Sequence, residues 1–306
     1  MTNTTGERLL VLGAGTMGTQ IALQSALCGI EVALVDISTD AVDRARTEID
    51  GLLTTRVAKG RITEQEERDA RARLTLSAGL DAVAPVCTWA IEAVVEKLDV
   101  KQAVFRRLAE LLPSDAGIAT NSSHIRAATI AGDAEYADRC LNMHYFHPVL
   151  VMDLVEVVAS PRTRPDILER ARGWADRMKR TPVVLTKDVD GFLVNRVLGA
   201  ASREAFSLLG TGVATVEEID IAVRRGLRWP LGPFELADLS GLDVLLESRT
   251  ARYEKHGEIG DRLTVEVIRP LVEAGRLGRK AGAGFYDYSV NPPKPLPIDI
   301  PAGDDA

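Results

Sequence analysis

The sequence predicts an α/β protein: a doubly wound, mostly parallel sheet followed by a second, all-helical domain. Three observations predict it. Short apolar runs alternate with helical stretches as far as Leu185. A Gly-x-Gly-x-x-Gly sits between the first such run and the first helix, and beyond a polar stretch at Lys187 to Gly191 the patterns are helical. Alternating β and α segments imply parallel strands, because a parallel pair needs a long crossover and a helix supplies it.

The first strand is the apolar run Arg8 to Leu12, closed by Gly13, and a helical stretch from Thr16 to Cys28 leads to the second strand, Glu31 to Val35, closed by Asp36. Helices are then expected at Thr39 to Lys59 and Glu64 to Ala72. The second of these opens with Thr63 and Glu66, the spacing of a reciprocal N-terminal cap. Strands at Leu74 to Leu76 and Trp89 to Val94 precede a helix at Asp99 to Leu112, a strand at Gly117 to Thr120 and a short helix at Ile125 to Ala131. Strands at Leu141 to Tyr145 and Leu154 to Val158, a helix at Pro165 to Lys179 and a strand at Val183 to Leu185 complete the alternation.

The domain boundary is placed in the polar stretch, giving a first domain of residues 1–187 and a helical domain of 188–290. Helices are expected there at Phe192 to Leu209, Thr215 to Arg224, Pro233 to Tyr253 and Thr264 to Glu273. Residues 291–306, rich in proline and acid, are expected to form a flexible tail. With 306 residues, 46% of them apolar, the chain can fill two modest cores.

A net charge of −7 with no dense basic stripe gives no footprint for nucleic acid or an anionic membrane. Cys28, Cys87 and Cys140 are widely spaced, with no metal-binding pattern, so no metal is expected and a reducing compartment is. Met1 to Glu7 is short and polar, and no apolar run approaches a membrane span of ~18 residues. A cytoplasmic protein is the expectation.

Gly13-Ala14-Gly15-Thr16-Met17-Gly18 lies where the glycine motif has a mechanical meaning. Gly13 permits a tight turn, Gly15 admits a pyrophosphate to the backbone, and Gly18 lets helix pack on strand. The helix N-terminus offers unpaired N–H groups to the phosphates. Asp36, about 20 residues on, accepts hydrogen bonds from the adenosine ribose and repels a 2′-phosphate, so NAD is expected rather than NADP.

Oxidation of an alcohol needs a base near its hydroxyl, and histidine is suited to it near neutral pH. Of the four, His256 sits in a charged helix-end pattern suited to solvent, while His144 closes a predicted strand where ligands collect in open α/β sheets. Glu156 lies in a β-branched run whose apolar neighbours imply burial, so it needs a partner, and His144 is the candidate. A carboxylate there would fix the tautomer of the histidine. The alternative leaves Glu156 on a solvated strand face. Asn121-Ser122-Ser123-His124 follows another strand and offers hydroxyl donors, or simply forms a turn.

Taken together, GAGTMG, ATNSSH, MHYFHP followed by LVEVV, DGFLVNR, GPFELADLSGLD and LGRKAGAGFYDY resemble the 3-hydroxyacyl-CoA dehydrogenase family, most of all its short 3-hydroxybutyryl-CoA members, over roughly residues 7–288. The resemblance implies a Rossmann-like NAD-binding domain and a helical domain that serves substrate binding and homodimer formation. It implies NAD-dependent interconversion of an L-3-hydroxyacyl-CoA and its 3-oxoacyl-CoA. By motif match His144 takes the place of the catalytic histidine and Glu156 of its paired glutamate, while Ser123 and Asn195 match substrate-contacting positions. Glu96, Lys101, Ser123, His147 and Lys280 match cofactor-contacting positions.

Two departures stand out. His147 replaces the family's usual Asn beside the nicotinamide, and Asp190 replaces the Pro before Gly-Phe. The phosphates of an acyl-CoA partner need a basic site, for which Arg56, Lys59 and Arg61 are the candidates, unless they form a solvated face. Two other readings stay open: a dehydrogenase of a 3-hydroxy acid without CoA, which His147 leaves room for, and an NAD-binding protein without turnover.

Overall fold

The computed structural model describes residues 6–185, 187 and 189–298, so the end of the expected tail, 299–306, lies outside the described residues. The chain divides into two compact units, Met1–Leu193 and Val194–Ala306.

The first unit holds an eight-stranded sheet: β1 (Arg8–Leu12), β2 (Glu31–Val35), β3 (Leu74–Ser77), β4 (Trp89–Glu92), β5 (Gly117–Thr120), β6 (Cys140–Tyr145), β7 (Leu154–Ala159) and β8 (Thr181–Leu185). Their order is β3-β2-β1-β4-β5-β6-β7-β8. All neighbouring pairs are parallel except β6 with β7, which is antiparallel. The order reverses at β1, and a crevice at the carboxyl ends of strands beside such a reversal is where open α/β sheets bind ligands.

Six helices connect the strands: α1 (Thr16–Leu27), α2 (Thr39–Ala58), α3 (Glu64–Ala72), α4 (Leu98–Leu111), α5 (Ala127–Ala131) and α6 (Pro165–Arg177). Alternation along β1 builds two cores, Leu9 and Val11 packing on one face of the sheet and Leu10 and Leu12 on the other. The cap expected before α3 is present: Thr63 Oγ1 accepts from Glu66 N at 3.1 Å, and Glu66 Oε2 accepts from Thr63 N at 2.7 Å.

The boundary falls after Leu193 rather than after Lys187. Phe192, 1% exposed, packs with Val158 and Leu185, and Leu193 N donates to Glu156 Oε1 at 2.9 Å, so the segment beyond the polar stretch is tied to the sheet. Phe192 also has a positive φ of 49°, so the first helix of the second unit starts at Val194 instead of Phe192.

The second unit comprises α7 (Val194–Gly210), α8 (Val216–Gly226), α9 (Pro233–Ser240), α10 (Leu242–His256) and α11 (Ile259–Glu273), with a small hairpin of β9 (Tyr286–Asp287) and β10 (Lys294–Pro295). Phe206, Phe234 and Phe285 stack at its centre, with ring centroids 4.9–5.8 Å apart. The single helix expected over Pro233 to Tyr253 breaks at Gly241, whose φ of 98° ends α9 and starts α10. Helix α11 begins before the expected Thr264 because buried Asp261 anchors its first turn to Arg249 at 2.9 Å and Arg252 at 3.1 Å.

From Asn291 to Ile298 the expected tail is docked instead. Leu296 N donates to Phe285 O at 2.8 Å, Arg276 Nη1 donates to Pro297 O at 2.8 Å, and Ile298 packs against the core of this unit. A proline-rich segment builds no core, but it can cover one that already exists.

Candidate active site

The glycine loop leaves β1 through Gly13, whose φ is 106° and whose N–H donates to Val35 O at 2.8 Å. A Cβ at Gly13 would meet Ala93 O at 2.5 Å, and one at Gly18 would overlap Gly13 O. These two glycines are fixed by backbone approach. Gly15 differs: no protein atom lies within 4 Å of the place a Cβ would take.

Gly15 is also the N-cap of α1, which has no side-chain cap and no acidic residue in its first turn. Its first N–H groups are therefore open to an anion. Thr16 is exposed there, whereas the Met17 side chain turns toward the core, leaving its backbone for the ligand. Asp36 is pinned beside this loop, Oδ2 accepting from Ala14 N at 2.8 Å and Oδ1 from Ser38 N at 2.9 Å. Ile37 next to it is 97% exposed, an apolar surface beside a carboxylate. An open phosphate cradle, an acid for ribose hydroxyls and an apolar platform for a base together fit a dinucleotide.

His144 lies at the end of β6 and pairs in register with Glu156 on β7. Cross-strand partners project to the same face, which is how residues twelve apart come to share a bond. His144 Nδ1 stands 2.8 Å from Glu156 Oε2, and Ser123 Oγ stands 2.9 Å from His144 Nε2. Glu156 is fully buried and His144 is 4% exposed, with the rings of Phe146 and Phe192 packed on the imidazole at 4.6 and 5.5 Å. A carboxylate can only accept, so Nδ1 carries a proton, and in the neutral imidazole Nε2 then presents a lone pair toward Ser123.

The loop after β6 is clamped on both sides: Val149 N donates to Gln20 Oε1 at 2.9 Å and Arg180 Nη2 donates to Val149 O at 2.8 Å. His147 is exposed on this loop, which Gln20 ties to α1. The pattern of the sequence gave no sign of Gln20 or Arg180, since each acts on a backbone group distant in the chain.

Lys101 is 1% exposed, with its ammonium 2.7 Å from Glu92 Oε1 and 3.1 Å from Glu96 Oε2. Burial opposes the ionised Glu96, but the Ser122 hydroxyl, Lys101 and the His124 N–H outweigh it and hold the carboxyl below its ordinary range. Glu92, fully buried at the end of β4, was not foreseen; its acid in an otherwise apolar strand, Trp-Ala-Ile-Glu, was the available signal. His124 is exposed and enters this network through its backbone N–H.

Asn195 and Lys280 belong to the second unit, Asn195 in the first turn of α7 and Lys280 with its Nζ 2.6 Å from both carboxylate oxygens of Asp243. Ser123, His144 and Glu156 are thus brought together within the first unit. Among the described residues no group of His, Cys, Asp and Glu is arranged to hold a metal ion, and no helix is long and apolar enough to cross a membrane.

Comparison with known proteins bears on both units. The model described as the 3-hydroxyacyl-CoA dehydrogenase NAD binding domain matches residues 8–189, and that of the C-terminal domain matches 191–288. The 3-hydroxybutyryl-CoA dehydrogenase of Bradyrhizobium diazoefficiens is 35% identical over 289 residues, 94% of this chain and 98% of the relative. The crystal structure of (S)-3-hydroxybutyryl-CoA dehydrogenase PaaH1 from Ralstonia eutropha is similar with a TM-score of 0.84 at 34% identity, covering 94% of this chain and all of that one. A diketoreductase structure, described for catalysis on dicarbonyl compounds, has a TM-score of 0.83 at 30% identity and covers 93% of this chain and all of that one. By these matches the chain belongs to the 3-hydroxyacyl-CoA dehydrogenase family.

Proposed function

We propose that this NAD-dependent 3-hydroxyacyl-CoA oxidoreductase works on a short-chain L-3-hydroxyacyl-CoA, with His144 as the proton-transfer group. The observation that carries the reading is the imidazole held between Glu156 on Nδ1 and a hydroxyl on Nε2. Ser123 Oγ occupies a place from which a hydroxyl addresses the Nε2 lone pair, so a substrate hydroxyl arriving there meets a base already in the right tautomer. As the C3 hydroxyl is oxidised, its proton passes to Nε2, and buried Glu156 stabilises the resulting imidazolium. In reduction His144 returns that proton to the oxo group. Ser123 is a hydrogen-bond donor for the substrate oxygen, and Asn195 is a substrate contact by its motif position.

NAD, when bound, supplies or accepts the hydride. Gly13, Gly15, Thr16, Met17 and Gly18 would hold its phosphates and Asp36 its adenosine ribose, with Glu96, His147 and Lys280 as further cofactor contacts by their motif positions. Asp36 accepts from two backbone N–H groups and keeps lone pairs for ribose hydroxyls, which a 2′-phosphate would face with like charge.

The end of α2 supports an acyl-CoA ligand. Arg56, with Lys59 and Arg61 just beyond it, offers the basic groups that CoA phosphates need; its lowered proton affinity comes first from burial and then from Arg61. A homodimer is the assembly proposed with this reading, on the strength of its family, and a cytoplasmic site suits three free cysteines.

The test is oxidation of NADH, followed by absorbance, with acetoacetyl-CoA, longer 3-oxoacyl-CoAs and free acetoacetate. Turnover that requires CoA and collapses in His144→Ala is expected. Turnover of free dicarbonyl compounds in preference would favour a second reading, a CoA-independent reductase, which the likeness to the diketoreductase and the ring at His147 support.

A further inference from the structure

We propose that Thr120 and Glu92 are positioning residues for the reaction, acting on His144 through Ser123, with Lys101 as the counter-charge of the buried Glu92. This rests on the reading above, in which Ser123 and His144 meet the substrate oxygen.

Glu92 closes β4 and Thr120 closes β5, neighbouring parallel strands in register at this pair. The fully buried Glu92 carboxylate takes three donors: Val94 N at 2.7 Å and Lys101 Nζ at 2.7 Å on Oε1, and Thr120 Oγ1 at 2.7 Å on Oε2. The Thr120 hydroxyl thereby has its proton committed to Glu92, and its lone pair accepts from Ser122 N at 3.1 Å. Asn121 N donates to Glu92 O at 2.8 Å, so the acid grips the start of the loop by its backbone as well.

The far side of the same loop carries the chemistry. Asn121 Oδ1 accepts from Tyr145 N at 2.9 Å, next to His144, and Ser123 Oγ reaches His144 Nε2 at 2.9 Å. Three successive residues thus connect a buried acid to the imidazole, with each bond having a defined direction. Lys101, 1% exposed, has its three protons facing Glu92, Glu96 and, at 3.4 Å, Val94 O. Its role is to supply the opposite charge that a buried carboxylate requires.

Thr120→Val keeps the shape and removes both hydroxyl bonds. We expect kcat to fall on the order of 10- to 100-fold, as for a slightly misplaced catalytic group, with the Kd for NADH unchanged and the protein folded. Thr120→Ser should recover kcat, a rescue that a loss of bulk packing would not give. In a Ser123→Ala background Thr120→Val should cost little more, because the relay ends at that serine. Glu92→Gln, which presents an amide N–H to donors, should lower kcat in the same direction and serves if Thr120→Val does not fold. The proposal is overturned by a Thr120→Val kcat within about twofold of wild type, by no rescue with serine, or by full additivity with Ser123→Ala. If Ser123→Ala alone leaves kcat intact, the serine's role in the reaction fails and the relay with it. If Ser123→Ala lowers kcat and Thr120→Val does not, the relay alone fails.

Discussion

Two regions of this molecule bury carboxylates at full depth and use them in opposite ways. In the first unit Glu156 gives one oxygen to a backbone N–H of Leu193 and the other to His144, a side chain whose second nitrogen remains available. In the second unit Asp220 accepts from Phe234 N at 2.9 Å, Glu235 N at 3.0 Å and Tyr286 OH at 2.8 Å; Asp238 accepts from Phe285 N, Tyr286 N and Tyr288 OH at 2.9–3.0 Å. Backbone N–H groups and tyrosine hydroxyls keep their protons at neutral pH, so these aspartates fasten the start of α9 and the segment from Phe285 to Tyr288 to the helices. A buried acid becomes reactive when its partner can pass a proton onward.

The largest expected effect sharpens that contrast. His144→Ala should lower kcat by about 10²- to 10⁴-fold, the range for loss of a positioned proton-transfer group, while thermal melting moves little. Equal loss of activity on substituting Asp238 would break the comparison, because it would place chemistry in both clusters.

A pH effect of the opposite kind is expected in the second unit. Burial pushes Asp220 up to about 6 despite its three donors. A folded-state pKa above the unfolded one favours the folded state when protonated. The contribution is therefore full below about pH 4 and lost as the pH rises through about 6, amounting to about 3 kcal/mol at most. Measured against Asp220→Asn, whose side chain does not titrate, the stability advantage of wild type should shrink across that window. A pH-independent difference would show that the donors, not burial, govern this acid.

Asp238→Asn should cost about 1–3 kcal/mol in denaturant unfolding, since an amide turns an N–H toward donors that now have a carboxylate, with kcat per folded molecule unchanged. The smallest effect is at the surface. Lys280→Met breaks a half-exposed pair with Asp243 and should change stability by about 1 kcal/mol or less. A tenfold or greater rise in the Kd for NADH in that variant would give Lys280 the cofactor role its motif implies, and an unchanged Kd would leave it a pair on the second unit's surface.

Much of this was legible without coordinates, for identifiable reasons. Two-residue periodicity and helix signals are local, so every strand of the large sheet was anticipated within a few residues, as was the Thr63 and Glu66 cap. Gly13 to Gly18 and Asp36 were legible because a tight turn and a strand end impose residue types directly. His144 and Glu156 were legible because one closes a strand and the other stands out in an apolar one. The break at Gly241 was missed, since a glycine within a helical pattern is tolerated until tertiary contact selects a positive φ. The ordered stretch from Asn291 to Ile298 was missed because composition reports what a segment cannot bury by itself, not what it can dock against.

The sequence by itself determined the α/β and helical division, the glycine loop and the residue types of the His144 and Glu156 pair, all properties of short windows. Tertiary structure decided their roles. Antiparallel pairing of β6 with β7 sets Glu156 opposite His144, and parallel pairing of β4 with β5 sets Glu92 beside Thr120. Lys101, which by motif matches a cofactor-contacting position, is enclosed among acids. Hydrogen-bond partnership depends on ångström-scale juxtaposition of residues far apart in the chain, and strand register, rather than any local pattern, creates it.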